Sequence, residues 1–184
     1  MPEFILEGEH IARRAESYFV LGFIEAMFFT ETGSTPADEW LDTDSEERTA
    51  NGNLPSDVGY TDLHPDSLAA IRADCEAWQA ANAGLLSIAL GPMSGYDEQQ
   101  AGRDYWLTRN HHGAGFWDRE ELRVVDIATR PDGTFTDSGE DEGLPFLGSL
   151  GELLTNAAHG AGEVSPFFGD HVTHGNAPFV HIDL

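Results

Sequence analysis

Residues Tyr18 to Phe29 form the most apolar stretch of the chain, and they are apolar on every side of a helix. Ile11, Ala15, Tyr18, Phe19, Gly22, Ala26 and Phe29 recur at helical spacing, while Val20, Phe23, Ile24, Met27 and Phe28 fill the opposite side. A helix with no polar face has nothing to offer water, so the pattern predicts a helix over about 9–30 at the centre of the fold. At about twelve residues, with Glu25 inside it, the run falls short of the roughly 20 that cross a bilayer. The first residues carry Glu3, Glu7 and Glu9 in place of a basic stretch, which does not fit a secretory signal. The expectation is a cytoplasmic protein without membrane contact.

A length of 184 residues fits a single domain over 1–184 able to bury a sizeable core. The chain holds 11 Phe, 4 Trp and 4 Tyr, too many large apolar side chains for a disordered polymer despite the charge. Cys75 is the single cysteine, so it forms no intramolecular disulfide. It falls in an apolar helical pattern with no cationic neighbour to lower its pKa, which marks it as a small core residue.

After the first helix the composition changes. Between Glu31 and Asp62 the residues Gly33, Pro36, Gly52, Pro55 and Gly59 interrupt the chain and apolar residues thin out, predicting a long acidic loop over about 31–62. His64, Pro65 and Asp66 begin a second helix, with Leu68, Ile71, Cys75 and Trp78 on one face and Gly84 or Gly91-Pro92 at its end. Asp97 and Gln100 are spaced as a capping box for a third helix to about Thr108, with strand an open alternative for Tyr105 to Leu107. From Gly113 onward β signals dominate: Phe116-Trp117, Leu122 to Ala128, a Pro131-Asp132-Gly133 turn into Thr134-Phe135, and strands near 165–168 and 179–182. A helix over 147–159 separates them. The predicted class is α+β: N-terminal helices packed with a small antiparallel sheet formed mainly by the C-terminal half.

Between Gln100 and Arg119 the chain concentrates Arg103, Asp104, Arg109, Asn110, His111 and His112 beside Tyr105, Trp106, Phe116 and Trp117. With Ala101, Gly102, Leu107, Thr108, Gly113, Ala114, Gly115 and Asp118, this segment resembles a signature of small acidic proteins of unknown function from tailed bacteriophages and related mobile elements. In those proteins an acidic helical half precedes the signature and a Gly-Glu segment with strands follows, which Gly162-Glu163 onward matches. The resemblance implies a phage context and supplies no catalytic residues. The chain departs from the family at 126–144, which looks like an insertion, and in its histidine-rich C-terminal strands. The polar cluster has two readings: arginines pairing carboxylates over aromatic packing, or a polar-aromatic site of Arg103, Asp104, Trp106, Arg109, Asn110, His111, His112 and Trp117 in a small enzyme or ligand-binding domain.

Catalytic motifs are sparse. His111, His112, Asp118, His171, His174 and His181 are ligand types without ligand spacing: in a strand, positions 171 and 174 fall on opposite faces. No metal site and no cofactor are expected. Neither Gly91 to Gly95 nor Gly148 to Gly151 has nucleophile-elbow spacing, and a phosphate-binding loop needs a lysine the chain lacks. Paired carboxylates for glycoside chemistry are too numerous to single any pair out.

What stands out is charge. Acidic residues number 33 against nine arginines and no lysine, for a net −24. That surface repels nucleic acid directly and attracts basic partners. Duplex DNA carries one charge per ~1.7 Å of axis, or about one per 110 Å² on a cylinder of order 10 Å radius. A folded chain of this mass exposes roughly 8,700 Å², about one acid per 260 Å², so imitation of DNA requires clustering. Asp38, Glu39, Asp42, Asp44, Glu46 and Glu47 lie within ten residues, and Asp137, Glu140, Asp141 and Glu142 form a second run. These residues, with Trp40 as an apolar anchor, are the candidate partner-binding set. The expectation is a non-catalytic DNA mimic that occupies the nucleic-acid groove of a basic host defence enzyme, of the anti-restriction or anti-CRISPR type. Salt adaptation is the competing explanation of the acidity. The residues leave the oligomeric state open, a homodimer included.

Overall fold

The computed structural model describes residues 9–40, 53–92, 94–139, 143–170 and 178–184. The described residues form eight α-helices and two small antiparallel sheets, an α+β fold. The helices are α1 (Glu9–Ala15), α2 (Tyr18–Glu31), α3 (Ala37–Trp40), α4 (Pro65–Ala81), α5 (Ala83–Ala89), α6 (Glu98–Arg109), α7 (Glu120–Arg123) and α8 (Leu150–Gly160). Strands β1 (Asp126–Thr129), β2 (Phe135–Asp137) and β3 (Phe146–Ser149) make one sheet in the order β2-β1-β3. Strands β4 (Pro166–Asp170) and β5 (Pro178–Ile182) pair as a hairpin.

The all-round apolar helix is central, as its pattern requires. Phe19 through Phe28 of α2 are all buried, Glu25 among them. The expected single helix over 9–30 is instead two, because the Ser17 side chain accepts from the Val20 amide at 3.2 Å and starts α2 afresh. Asp97 caps α6 by accepting from the Gln100 amide at 2.7 Å, and Tyr105 to Leu107 are helical. His64 caps α4 through Nδ1 with Pro65 in the first turn. That helix stops at Asn82, ahead of both predicted glycine ends, and the short α5 follows.

Helices α2 and α6 meet backbone to backbone. A Cβ on Gly22 would lie 1.9 Å from the Gln99 carbonyl oxygen, and one on Gly102 would lie 1.9 Å from that of Phe19. On this contact the aromatic rings stack: Trp78 of α4 lies 4.3 Å from Tyr105 and 5.6 Å from Phe116, with Phe19 behind at 5.8 Å. Cys75 is buried here, and burial pushes its thiol pKa up, which fits a core residue.

Two predicted strands are helical turns. Phe116–Asp118 forms a 3-10 turn because Gly115, at φ 145, brings the chain against Thr108, whose hydroxyl accepts from the Phe116 amide at 3.1 Å. The first half of the 122–128 strand is α7, fixed by Leu122 and Arg123 amides donating to the Arg119 carbonyl, and only Asp126 onward pairs in a sheet. The Pro131 to Gly133 turn, β2, β4 and β5 lie where the pattern puts them, but the helix expected over 147–159 starts only at Leu150, because 146–149 pair with β1 as β3 and a Ser149–Glu152 capping box starts α8. The predicted loop over 31–62 is tied down at both ends: Thr32 bridges Leu54, Gly33 donates to the Leu54 carbonyl, and Trp40, Leu54, Val58 and Tyr60 join the core.

Glu16, at the break between α1 and α2, ties it to α4. It accepts from Tyr60 Oη at 2.7 Å and Arg72 Nε at 2.8 Å, with a further bond from Arg72 Nη2. Burial raises its pKa, but the hydrogen bonds from Arg72 and Tyr60 outweigh that and hold it below the usual carboxylate value, while Tyr60 is pushed up to about 12. A depressed carboxylate stabilises the fold above its unfolded pKa and loses that contribution as pH falls through its folded one. Glu16→Gln should therefore cost about 1–2 kcal/mol at neutral pH, Arg72 being half-exposed, and the gap from wild type should close in acid; urea titrations at two pH values measure it. Gly102→Ala should cost about 3 kcal/mol and lower the melting temperature by roughly 6–12 °C. Gly160→Ala, where a Cβ meets nothing within 4 Å, serves as its control.

Candidate functional site

The polar segment of α6 supports the core from within. Asp104 is fully buried and accepts from Tyr96 Oη at 2.8 Å, Gln100 Nε2 at 3.0 Å and Arg119 Nε at 2.8 Å, with a second bond from Arg119 Nη2. Its bidentate guanidinium holds the loop after α6 against the helix. The Arg119 pKa is raised by its hydrogen bonds to Asp104, and that of Tyr96 by burial and by the adjoining carboxylate. Arg109, 2% exposed, donates to Asp74 Oδ2 at 2.7 Å, Tyr105 Oη at 3.1 Å, the Gly162 carbonyl at 2.8 Å and the Ala161 carbonyl at 3.2 Å. It thereby joins α6, α4 and the end of α8. Trp106 is buried with Nε1 on Thr30 Oγ1 at 2.8 Å, and Asn110 accepts from the Val164 amide at 2.9 Å.

Of the eight polar-aromatic candidates, Asp104, Trp106 and Arg109 are core residues and Asn110 is a half-buried strut. His111 sits at φ 55, exposed, 3.4 Å from Glu163 and with its ring tilted against that of His159 at 4.4 Å. Trp117 is exposed. Only Arg103 and His112 line an opening.

That opening is a cleft of about 490 Å³ between α2 and α6, lined by Glu25, Ala26, Phe29, Arg103, Leu107, Ala114 and Arg119 among others. Glu25 anchors it. Its Oε2 accepts from Arg103 Nε at 2.6 Å and Gln99 Nε2 at 3.1 Å, and Arg103 Nη1 donates to Gln100 Oε1 at 3.2 Å. Farther along, His112 lies 3.1 Å from Glu31. The sequence reading passed over Glu25 as a mere interruption of an apolar run. Its signal was there: a carboxylate in a fully buried helix must meet a cation, and Arg103 is the one that α6 presents.

The acidic candidates are placed differently. Asp38 and Glu39 are exposed on α3. Trp40 beside them is 3% exposed, so it is a core residue and not an apolar anchor for a partner. Asp137 lies on β2, in an open cleft of about 640 Å³ with Glu121, Val124 and Phe135, and accepts from the Gly139 amide at 2.9 Å. Asp42, Asp44, Glu46, Glu47, Glu140, Asp141 and Glu142 lie outside the described residues, as do His171 and His174. His181 stacks on His64 at 4.9 Å. Among the described residues no three His, Cys, Asp or Glu side chains converge as metal ligands, and no helix is long and apolar enough to cross a membrane.

No family model, no curated protein and no solved structure matches the chain.

The Asp104–Arg119 pair provides a direct test of the core assignment. Arg119→Met should cost about 3–5 kcal/mol in urea unfolding by stranding a buried carboxylate. The double variant with Asp104→Asn should regain part of that loss, and a simple sum of the two single effects would show the residues to be uncoupled.

Proposed function

We propose that this chain is a non-catalytic acidic inhibitor that occupies the nucleic-acid groove of a basic DNA-binding host protein, of the anti-restriction or anti-CRISPR type. The observation that carries this reading is the direction in which the arginines are used. Among the described residues, every arginine–carboxylate pair takes an acid whose side chain is at most 22% exposed: Glu16, Glu25, Asp74 or Asp104. Four of the nine arginines are spent on these inward acids, Arg13, Arg14 and Arg123 stay exposed, and exposed acids such as Asp38, Asp57, Glu76, Asp97, Glu120 and Glu121 have no arginine on them among those residues. Such a surface attracts cationic grooves over long range.

Mean density alone does not imitate DNA. Spreading 33 carboxylates over 9780 Å² leaves each roughly 300 Å², against about 110 Å² per phosphate on the duplex. The mimicry reading therefore rests on the runs at 38–47 and 137–142, and the phage-like signature at 100–119 supports the biological setting.

Mobility-shift competition tests it. The chain should displace DNA from a restriction or CRISPR effector at low salt and lose potency as salt rises. Replacing Asp42, Asp44, Glu46 and Glu47 by lysine should abolish displacement, whereas alanine at His111 and His112 should leave it intact. Failure to compete with DNA for any restriction, CRISPR or repair complex at low salt rejects the reading. Circular dichroism in dilute buffer excludes the competing explanation if the helical signal persists, since a chain acidic only through salt adaptation unfolds there.

A further inference from the structure

The cleft beside Glu25 is lined by apolar side chains at one end and by both signs of charge at the other. Phe29, 59% exposed, and Leu107 form the apolar wall, while Glu25, Arg103 and Arg119 form the polar end. Stability is a weak reason to keep a Glu–Arg pair in the most apolar helix, because well-packed apolar residues of the same volume serve as well or better. The pair is also incompletely used. Both bonds to Glu25 end on Oε2, so among the described residues Oε1 receives no donor. Arg103 sends Nε to Glu25 and Nη1 to Gln100, so Nη2 has no acceptor among those residues. One ion pair at the cleft thus keeps an acceptor and a donor that no described side chain takes and that are left to water.

Charge then selects the ligand class. Glu25 offsets Arg103, Asp104 offsets Arg119 and His112 lies on Glu31, so the lining offers no unpaired cation to an anion, and the −24 chain repels one. A cation would meet two guanidiniums. A neutral group with a carbonyl next to an N–H satisfies both open positions: the carbonyl accepts from the guanidinium and the N–H donates to Glu25. We propose that the cleft between α2 and α6 binds a small neutral heterocycle through such a lactam edge, with Glu25 and Arg103 reading the edge and Phe29 and Leu107 covering the ring. A site of this kind rejects an analogue that lacks the donor, because the carboxylate is then left unsatisfied.

Inosine, which has a lactam edge on a purine, is the probe, followed by two-dimensional NMR of the full chain. It should shift the amides of residues 25–30 and 103–114 and the Arg103 Nε–H. 1-Methylinosine, with the same body and no N–H at that edge, should bind at least about ten-fold more weakly. Ala114→Trp fills the cleft at a residue that belongs to neither ion pair and should weaken inosine by a similar factor while leaving competition with DNA for a basic partner unchanged, so this inference and the inhibitor reading fail separately. Should Ala114→Trp unfold by circular dichroism, Phe29→Ala at the exposed rim carries the same comparison. The proposal is overturned by absence of shifts through the millimolar range, by shifts away from the cleft, by equal binding of 1-methylinosine, or by benzoate binding there in preference to inosine.

Discussion

Because Gly22 and Gly102 carry no side chains, α2 and α6 approach until the Cβ of any other residue would overlap the facing carbonyl. At that separation a charged side chain between the helices is largely withdrawn from water and finds its partner on the opposite helix. Glu25 with Arg103 and Gln99 is the direct result. The Trp106–Thr30 bond and the Phe23 contacts with Tyr105 and Trp106 follow from the same approach. The elements that do not touch this crossing are attached to it through α4, α8 and the 116–118 turn, by Arg109 and by the stacked rings around Trp78.

Residues whose local chemistry settles their conformation were legible in the sequence. Pro65 after His64, Asp97 before Gln100 and Gly133 in its turn act within four residues, so spacing alone locates them. The central position of α2 was legible too, since an all-round apolar helix has only one place to go. Ser17 was not, because a polar residue inside an otherwise helical pattern becomes a cap only when the preceding helix turns away. Phe116-Trp117 and Leu122 misled for a related reason: aromatic and branched residues favour strands on average, but Gly115 against Thr108 and Arg119 above Leu122 impose turns. Trp40 stood in an acidic run and so read as exposed, yet its burial is decided by the core that closes over it.

For the candidate site, residue type was readable and role was not. Asp104, Arg109 and Trp106 have the composition of a binding surface, and burial makes them struts. Glu25 looked incidental and is the carboxylate on which the cleft is built. The difference lies in long-range pairing: Glu25 and Arg103 are 78 positions apart, and Asp104 and Arg119 are 15 apart across a loop, distances over which no periodicity speaks.

The acidic exterior and the neutral cleft are linked through the arginines. A chain with no lysine and nine arginines has few cations, and each one fixed to an inward acid leaves the outside more negative. Arg103 and Arg119 therefore do two things at once: they make burial of Glu25 and Asp104 tolerable, and they withhold positive charge from the surface. Removing either cation would strand a carboxylate inside, and moving it outward would lower the charge density a basic partner meets. The same pairs keep the cleft electrically neutral within a strongly negative protein, so the two surfaces differ in the charge they present. On the two proposals, a cationic macromolecule would be drawn to the exterior by a field that salt screens, and a small uncharged molecule would be held in the cleft by hydrogen bonds that salt leaves nearly unchanged.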